Sequence, residues 1–146
     1  MIKLPLCRVV LVRESPAKYV AVKVNSAMKA YKALRSLFKG LDREHFVVCC
    51  LDSGLKIIAV NVVSVGSLNL AIVHPREVFK AAILANACSV ILAHNNPSGD
   101  PTPSREDITL SQRLREAGEI LGIEVLDSLV IGESSFRNVP AAMGVK

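Results

Sequence analysis

From His45 to Leu51 the chain runs almost without a polar residue, and Asp52-Ser53-Gly54 stops it. A short apolar run bounded by turn formers reads as a buried strand. Two more such runs, Lys56 to Ser64 and Ser67 to Val73, lie on either side of Gly66. Pro75 suits the first position of a helix over Arg76 to Ala87, where its missing N–H has no partner to lose. Ser89 to Ala93 reads as a short buried strand, and a polar, proline-rich loop follows from His94 to Pro103. A long helix is predicted from Ser104 to Leu121, with an apolar stripe at Leu110, Leu114, Ala117 and Leu121. Ile123 to Ile131 supplies a last strand. Upstream, Leu6 to Val12 and Tyr19 to Val24 are valine-rich runs with strand character, separated by Glu14-Ser15-Pro16. Ser26 is placed to cap a helix carrying Tyr31, Leu34 and Phe38 on one face, and Gly40 to end it. The pattern predicts a single α+β domain with a mixed β-sheet and three flanking helices. Residues 1–40 give it N-terminal strands and a basic helix, and residues 41–146 form its core.

Composition narrows the class. With 146 residues, 51% of them hydrophobic, and a formal net charge of +5, the chain has enough apolar surface for one core and is not disordered. No apolar run approaches the ~18 residues of a membrane span. Met1 to Leu6 lacks the features of a signal peptide, so a cytoplasmic protein without membrane contact is expected. The cysteines, Cys7, Cys49, Cys50 and Cys88, form no Cys-x-x-Cys pair and read as buried, reduced thiols. Charge is uneven. Residues 1–43 hold ten basic and two acidic side chains, and residues 44–146 hold eight and eleven. Lys29, Lys32, Arg35 and Lys39 fall mostly on the polar face of the first helix. Nucleic acid is a partner such a stripe could track, but a solvated face is the favoured reading, because few aromatic residues exist to stack on bases.

The chemistry concentrates between His94 and Asp107. This segment leaves a buried strand, crosses a loop and enters a helix, a common place for polar groups held by a rigid scaffold. His94 and Asp107 are residue types that ligate zinc. Ser104-x-x-Asp107 is equally an ordinary capping arrangement, with an acidic residue near the positive end of a helix.

Val65-Gly-Ser-Leu-Asn69, His74-Pro-Arg-Glu-Val-Phe79 and the His94–Asp107 segment follow one another in an order that resembles the RadC-like family of JAMM (MPN) domains, over roughly residues 6–135. The resemblance implies a JAMM/MPN-like, cytidine-deaminase-like fold. It also implies the pattern His-x-His-x7-Ser-x2-Asp with a glutamate far upstream at the head of a strand. Here the pattern falls on His94, Asn96, Ser104 and Asp107, and the glutamate on Glu44; Glu77 is the competitor but lies within a predicted helix. By resemblance, histidines and the aspartate would hold Zn2+ and leave a position for water, whose pKa the metal lowers towards ~7. Glu44 would act as general base and then acid, and the Ser104 hydroxyl would steady an oxyanion. The implied substrate is an amide, peptide or isopeptide bond in a peptide or protein.

Two imidazoles of the family pattern are replaced. Asn96 stands where the second zinc histidine is expected, and Ser128 follows Asp127 where the family commonly has histidine. A neutral amide oxygen is a poor substitute for imidazole on zinc. The sequence therefore leads to two expectations. One is a zinc metallopeptidase weakened at Asn96; the other is a catalytically inactive binding module of the same fold, associated with DNA repair or a protein assembly.

Overall fold

The computed structural model of the protein describes residues 1–14, 22–66 and 73–140. Five strands form one sheet in the order β2-β1-β3-β4-β5: β1 His45–Leu51, β2 Ile57–Val65, β3 Ser89–Asn95, β4 Glu124–Ile131 and β5 Phe136–Asn138. β1 pairs antiparallel with β2 and β3, β3 pairs parallel with β4, and β4 pairs antiparallel with β5, so the sheet is mixed. The helices are α1 Ala27–Leu34, α2 Pro75–Leu84 and α3 Arg105–Leu121. The parallel β3–β4 pair needs a crossover, and α3 provides it.

β1 and β3 read as nearly continuous apolar runs because helices cover both faces of the sheet. On one face Phe46, Val48, Cys50 and Leu92 pack with Val78 and Phe79 of α2 and with Leu110 and Leu114 of α3. On the other, Val47, Cys49, Leu51 and Ile91 pack with Ala30, Tyr31 and Leu34 of α1. This alternation along β1 assigns each residue at the strand ends to one face or the other.

Ser26 caps α1 by accepting from the Lys29 N–H, and a 3-10 turn, Arg35–Phe38, carries the helix on to Gly40, whose φ is +74°. The basic side chains of α1 are exposed, as a polar helix face predicts. Pro75 opens α2, and His74 caps it by accepting from the Arg76 N–H at 3.1 Å. That helix stops at Leu84, short of Ala87, because Asn86 enters the left-handed region with φ +57°.

Several expectations are corrected. Leu6 to Val12 is not a strand: it lies exposed, and among the described residues it has no ladder partner. Valine-rich sequence favours an extended chain, but only a neighbouring strand can satisfy its backbone groups. Of Tyr19 to Val24, residues 19–21 lie outside the described residues, while Lys23 forms an isolated antiparallel bridge with Lys56. The run Ser67 to Val73 lies outside them except for Val73. Cys7 and Cys88 are exposed, whereas Cys49 and Cys50 are buried. Burial pushes the Cys49 thiol up to about 12 and the Cys50 thiol up to about 11, so neither is a nucleophile. No helix among the described residues is long and apolar enough to cross a membrane.

Candidate functional site

β3 runs two residues further than the apolar pattern predicts and carries His94 and Asn95 within the sheet, both 4% exposed. His94 pairs with Phe46 across the β1–β3 ladder, and their rings stack with centroids 5.9 Å apart. Glu44 precedes β1 directly. Strand alternation puts it on the Phe46 side, the face that also carries His94 and is covered by α3. The start of β1, the end of β3 and the start of α3 thus meet at one edge of the sheet.

At this edge His94 Nε2 lies 3.1 Å from Asp107 Oδ1. Asp107 also closes a capping box: Ser104 N–H donates to its Oδ2 at 2.8 Å, and its own N–H donates to Ser104 Oγ at 3.1 Å. Burial alone would raise the Asp107 pKa, but hydrogen bonding and charge from His94 outweigh it, with help from Ser104, and hold the carboxyl below its ordinary value. Asp107 thus caps α3 with one oxygen and faces His94 with the other.

Asn96 is turned elsewhere. Its carbonyl accepts from the Gly99 N–H at 2.9 Å, closing a turn over Asn96-Pro97-Ser98-Gly99. Its side-chain Oδ1 accepts from the Ser98 N–H at 3.2 Å and the Ser98 hydroxyl at 2.9 Å. Asparagine before proline is a turn-forming choice because its side chain bonds the backbone two residues on. The turn lies against Gly132, where a β-carbon would come within 2.6 Å of the Gly99 carbonyl oxygen.

Asn95 has no role in the sequence reading, yet its side chain brackets Glu44. Oδ1 accepts from the His45 N–H at 2.6 Å, and Nδ2 donates to the Arg43 carbonyl at 3.0 Å. The Glu44 carbonyl accepts from the Gly66 N–H at 2.7 Å. The backbone of Glu44 is therefore held from both neighbouring strands. Strand alternation at 94–96 was the available signal, since it turns Asn95 away from the His94 face. Glu77 pairs with Lys80 at 2.8 Å on the exposed surface of α2. Ser128 is buried on β4 opposite Leu92.

The side chains present do not fit a catalytic zinc ion. Such a site takes three protein ligands and leaves the fourth position to water; here one imidazole and one carboxylate converge, and the Asn96 oxygen is committed to Ser98. Among the described residues no three His, Cys, Asp or Glu side chains gather as a metal-binding group. Among the described residues, buried His94 Nδ1 has no protein hydrogen-bond partner.

A mixed sheet between helices, with a histidine at a strand end facing an aspartate in the first turn of the next helix, defines a JAB/MPN-type domain. The chain belongs to the RadC-like JAB domain family, whose model matches residues 24–141. It is 54% identical over 101 residues to a UPF0758 protein of Desulforamulus reducens, covering 69% of this chain and 44% of that protein. It is 50% identical over 114 residues to a UPF0758 protein of Methanococcoides burtonii, covering 78% of this chain and 50% of that one. A UPF0758 protein of Moorella thermoacetica is 56% identical over 99 residues, or 68% of this chain and 43% of its own length. The chain spans about half the length of the relatives it matches.

Proposed function

We propose that this chain is a JAB domain with a degenerate metal centre, acting as a binding module within a protein assembly and not as a hydrolase. The observation that carries this reading is Asn96: the position that would complete a three-ligand zinc site is an amide whose oxygen is held by Ser98. The remaining pair, His94 and Asp107, closes on itself with a direct contact that ties β3 to α3.

A second reading, a hydrolase acting on an amide or isopeptide bond, draws support from His94, Asp107 and Glu44 lying at one edge and on one face of the sheet. Zinc titration by calorimetry separates the two. The wild-type chain is expected to bind zinc weakly. Asn96→His is expected to bind at least ~100-fold more tightly, a gain of about 2.7 kcal/mol. The substitution gives up the two Ser98 hydrogen bonds but lies in a surface turn, so the domain stays folded. Equal, tight binding by both proteins would overturn the binding-module reading and favour the hydrolase.

A further inference from the structure

The helices that cover the sheet differ in how their charges are arranged. α3 mixes signs and carries Glu106 and Asp107 in its first turn, where the helix dipole favours acids. α2 opens with Glu77, which pairs with Lys80 at 2.8 Å. α1 has no acid in its first turn and places Lys29 there instead. No acidic residue lies between Glu14 and Asp42, while Lys29, Lys32, Arg35 and Lys39 are all exposed. Among the described residues, none of these four pairs with a carboxylate. Like charges at helical spacing, and a cation at the positive end of a helix, both work against α1. A local arrangement that costs stability without a compensating contact points to a functional surface.

The rings beside this stripe indicate what it meets. Only six aromatic residues occur in the chain, yet Tyr31 of α1 and Phe136 of β5 stack with centroids 4.7 Å apart. Arg35 sets its guanidinium carbon over the Tyr31 ring, 6.0 Å from the centroid. At ~100° per residue, Arg35 and Lys32 fall on the Tyr31 flank of α1, away from Ala30. Tyr31 is 8% exposed, whereas Phe136, on the edge strand, is partly open to solvent. Cations thus run for ~15 Å, from Lys29 to Lys39, past an accessible aromatic ring. We infer that this face binds single-stranded nucleic acid, with phosphates along the three lysines and Arg35 and a base against Phe136. Each nucleotide brings a charge together with a planar base, and cations beside a ring match both. An acidic peptide would leave the ring unused. Tyr31 and Phe136 belong to the core on one face of the sheet, and His94 lies on the other face with Phe46, so binding does not depend on the metal centre.

Fluorescence anisotropy on the full chain, with a labelled oligothymidylate of about 12 nucleotides, tests this. Wild type and Asn96→His are expected to bind equally, in the micromolar range at low salt. The log affinity is expected to fall with log salt with a slope of about 2.8, or ~0.7 for each of four phosphates. Replacing Lys29, Lys32 and Lys39 together by Gln alters only exposed side chains and should lower that slope by about 2. Phe136→Leu should weaken binding by at least ~5-fold, the low end of a base–aromatic stack, with the slope unchanged, and Phe136→Tyr should restore it. Polyphosphate, which has no bases, should bind more weakly and be indifferent to Phe136→Leu. No binding at low salt, or a slope untouched by the lysine changes, would overturn the inference. Polyphosphate or polyglutamate bound as tightly as the oligonucleotide, or a duplex bound more tightly, would overturn it as well.

Discussion

At the scale of residues, the candidate site is governed by which partner each polar atom has taken. Asn96 satisfies a proline turn, and that local role competes directly with ligation, because one oxygen cannot serve Ser98 and a metal at full strength. Asp107 gives a prediction in pH. Its folded pKa is depressed, so the unfolded chain takes up its proton more readily. The stability it contributes is complete above ~4, the ordinary aspartate value, and is lost as pH falls through its lower folded value. Urea unfolding should therefore show wild type losing its advantage over Asp107→Asn in that acid range. At neutral pH the advantage should be roughly 1.5–3 kcal/mol, the value of hydrogen bonds to a charged group. Asn95 makes a second prediction. Asn95→Ala leaves the His45 N–H and the Arg43 carbonyl without their partners and should cost about 1–3 kcal/mol. Faster amide exchange at His45, with β1 beyond Val47 still protected, would locate the loss at the Glu44 strand head.

At the scale of elements, periodicity found the core elements, and close approach set their details. The stripe predicted for α3 ends at Leu121, yet Leu121 is 47% exposed, and Gly118 is what faces the sheet. A β-carbon at Gly118 would collide with the Ile123 carbonyl oxygen and crowd the Phe79 ring. The helix thus turns straight back into β4 through Gly122, at φ +72°. Gly118→Ala usually favours a helix, but here the clash should dominate and cost about 1–3 kcal/mol, measurable as a lowered denaturant midpoint. β5 escaped the sequence reading because three residues show no period, and it exists only because β4 offers an open edge. The segment from Leu6 to Val12 departs in the opposite direction: its pattern fits a strand, but among the described residues it has no ladder partner.

At the scale of the whole molecule, two apolar cores on opposite faces of one sheet hold the corner where β1, β3 and α3 meet. His94 and Asp107 meet directly at that corner, and the binding-module reading expects the fold to stand without metal. Exhaustive chelation should therefore leave the thermal midpoint of the wild type unchanged. Asn96→His in zinc at ~100-fold its dissociation constant should gain about 2.7 kcal/mol, a rise of roughly 5–10 °C for a chain of this size. A midpoint that falls when the wild type is chelated would show that it already rests on bound metal.

The sequence by itself determined the buried strands, the capped helices and the family, because apolar period, caps and turn residues are local and act within a few positions. It also determined which residue types stand at His94, Asn96, Ser104 and Asp107. Only the tertiary structure decided what those residues do to each other. The Asn96–Ser98 bond is local to its turn, but that Asp107 serves cap and histidine together depends on α3 packing against the end of β3, and that Asn95 brackets Glu44 depends on strands brought side by side from about 50 residues apart. Hydrogen bonds are decided at a few tenths of an ångström, and only packing of the sheet and helices fixes positions that finely.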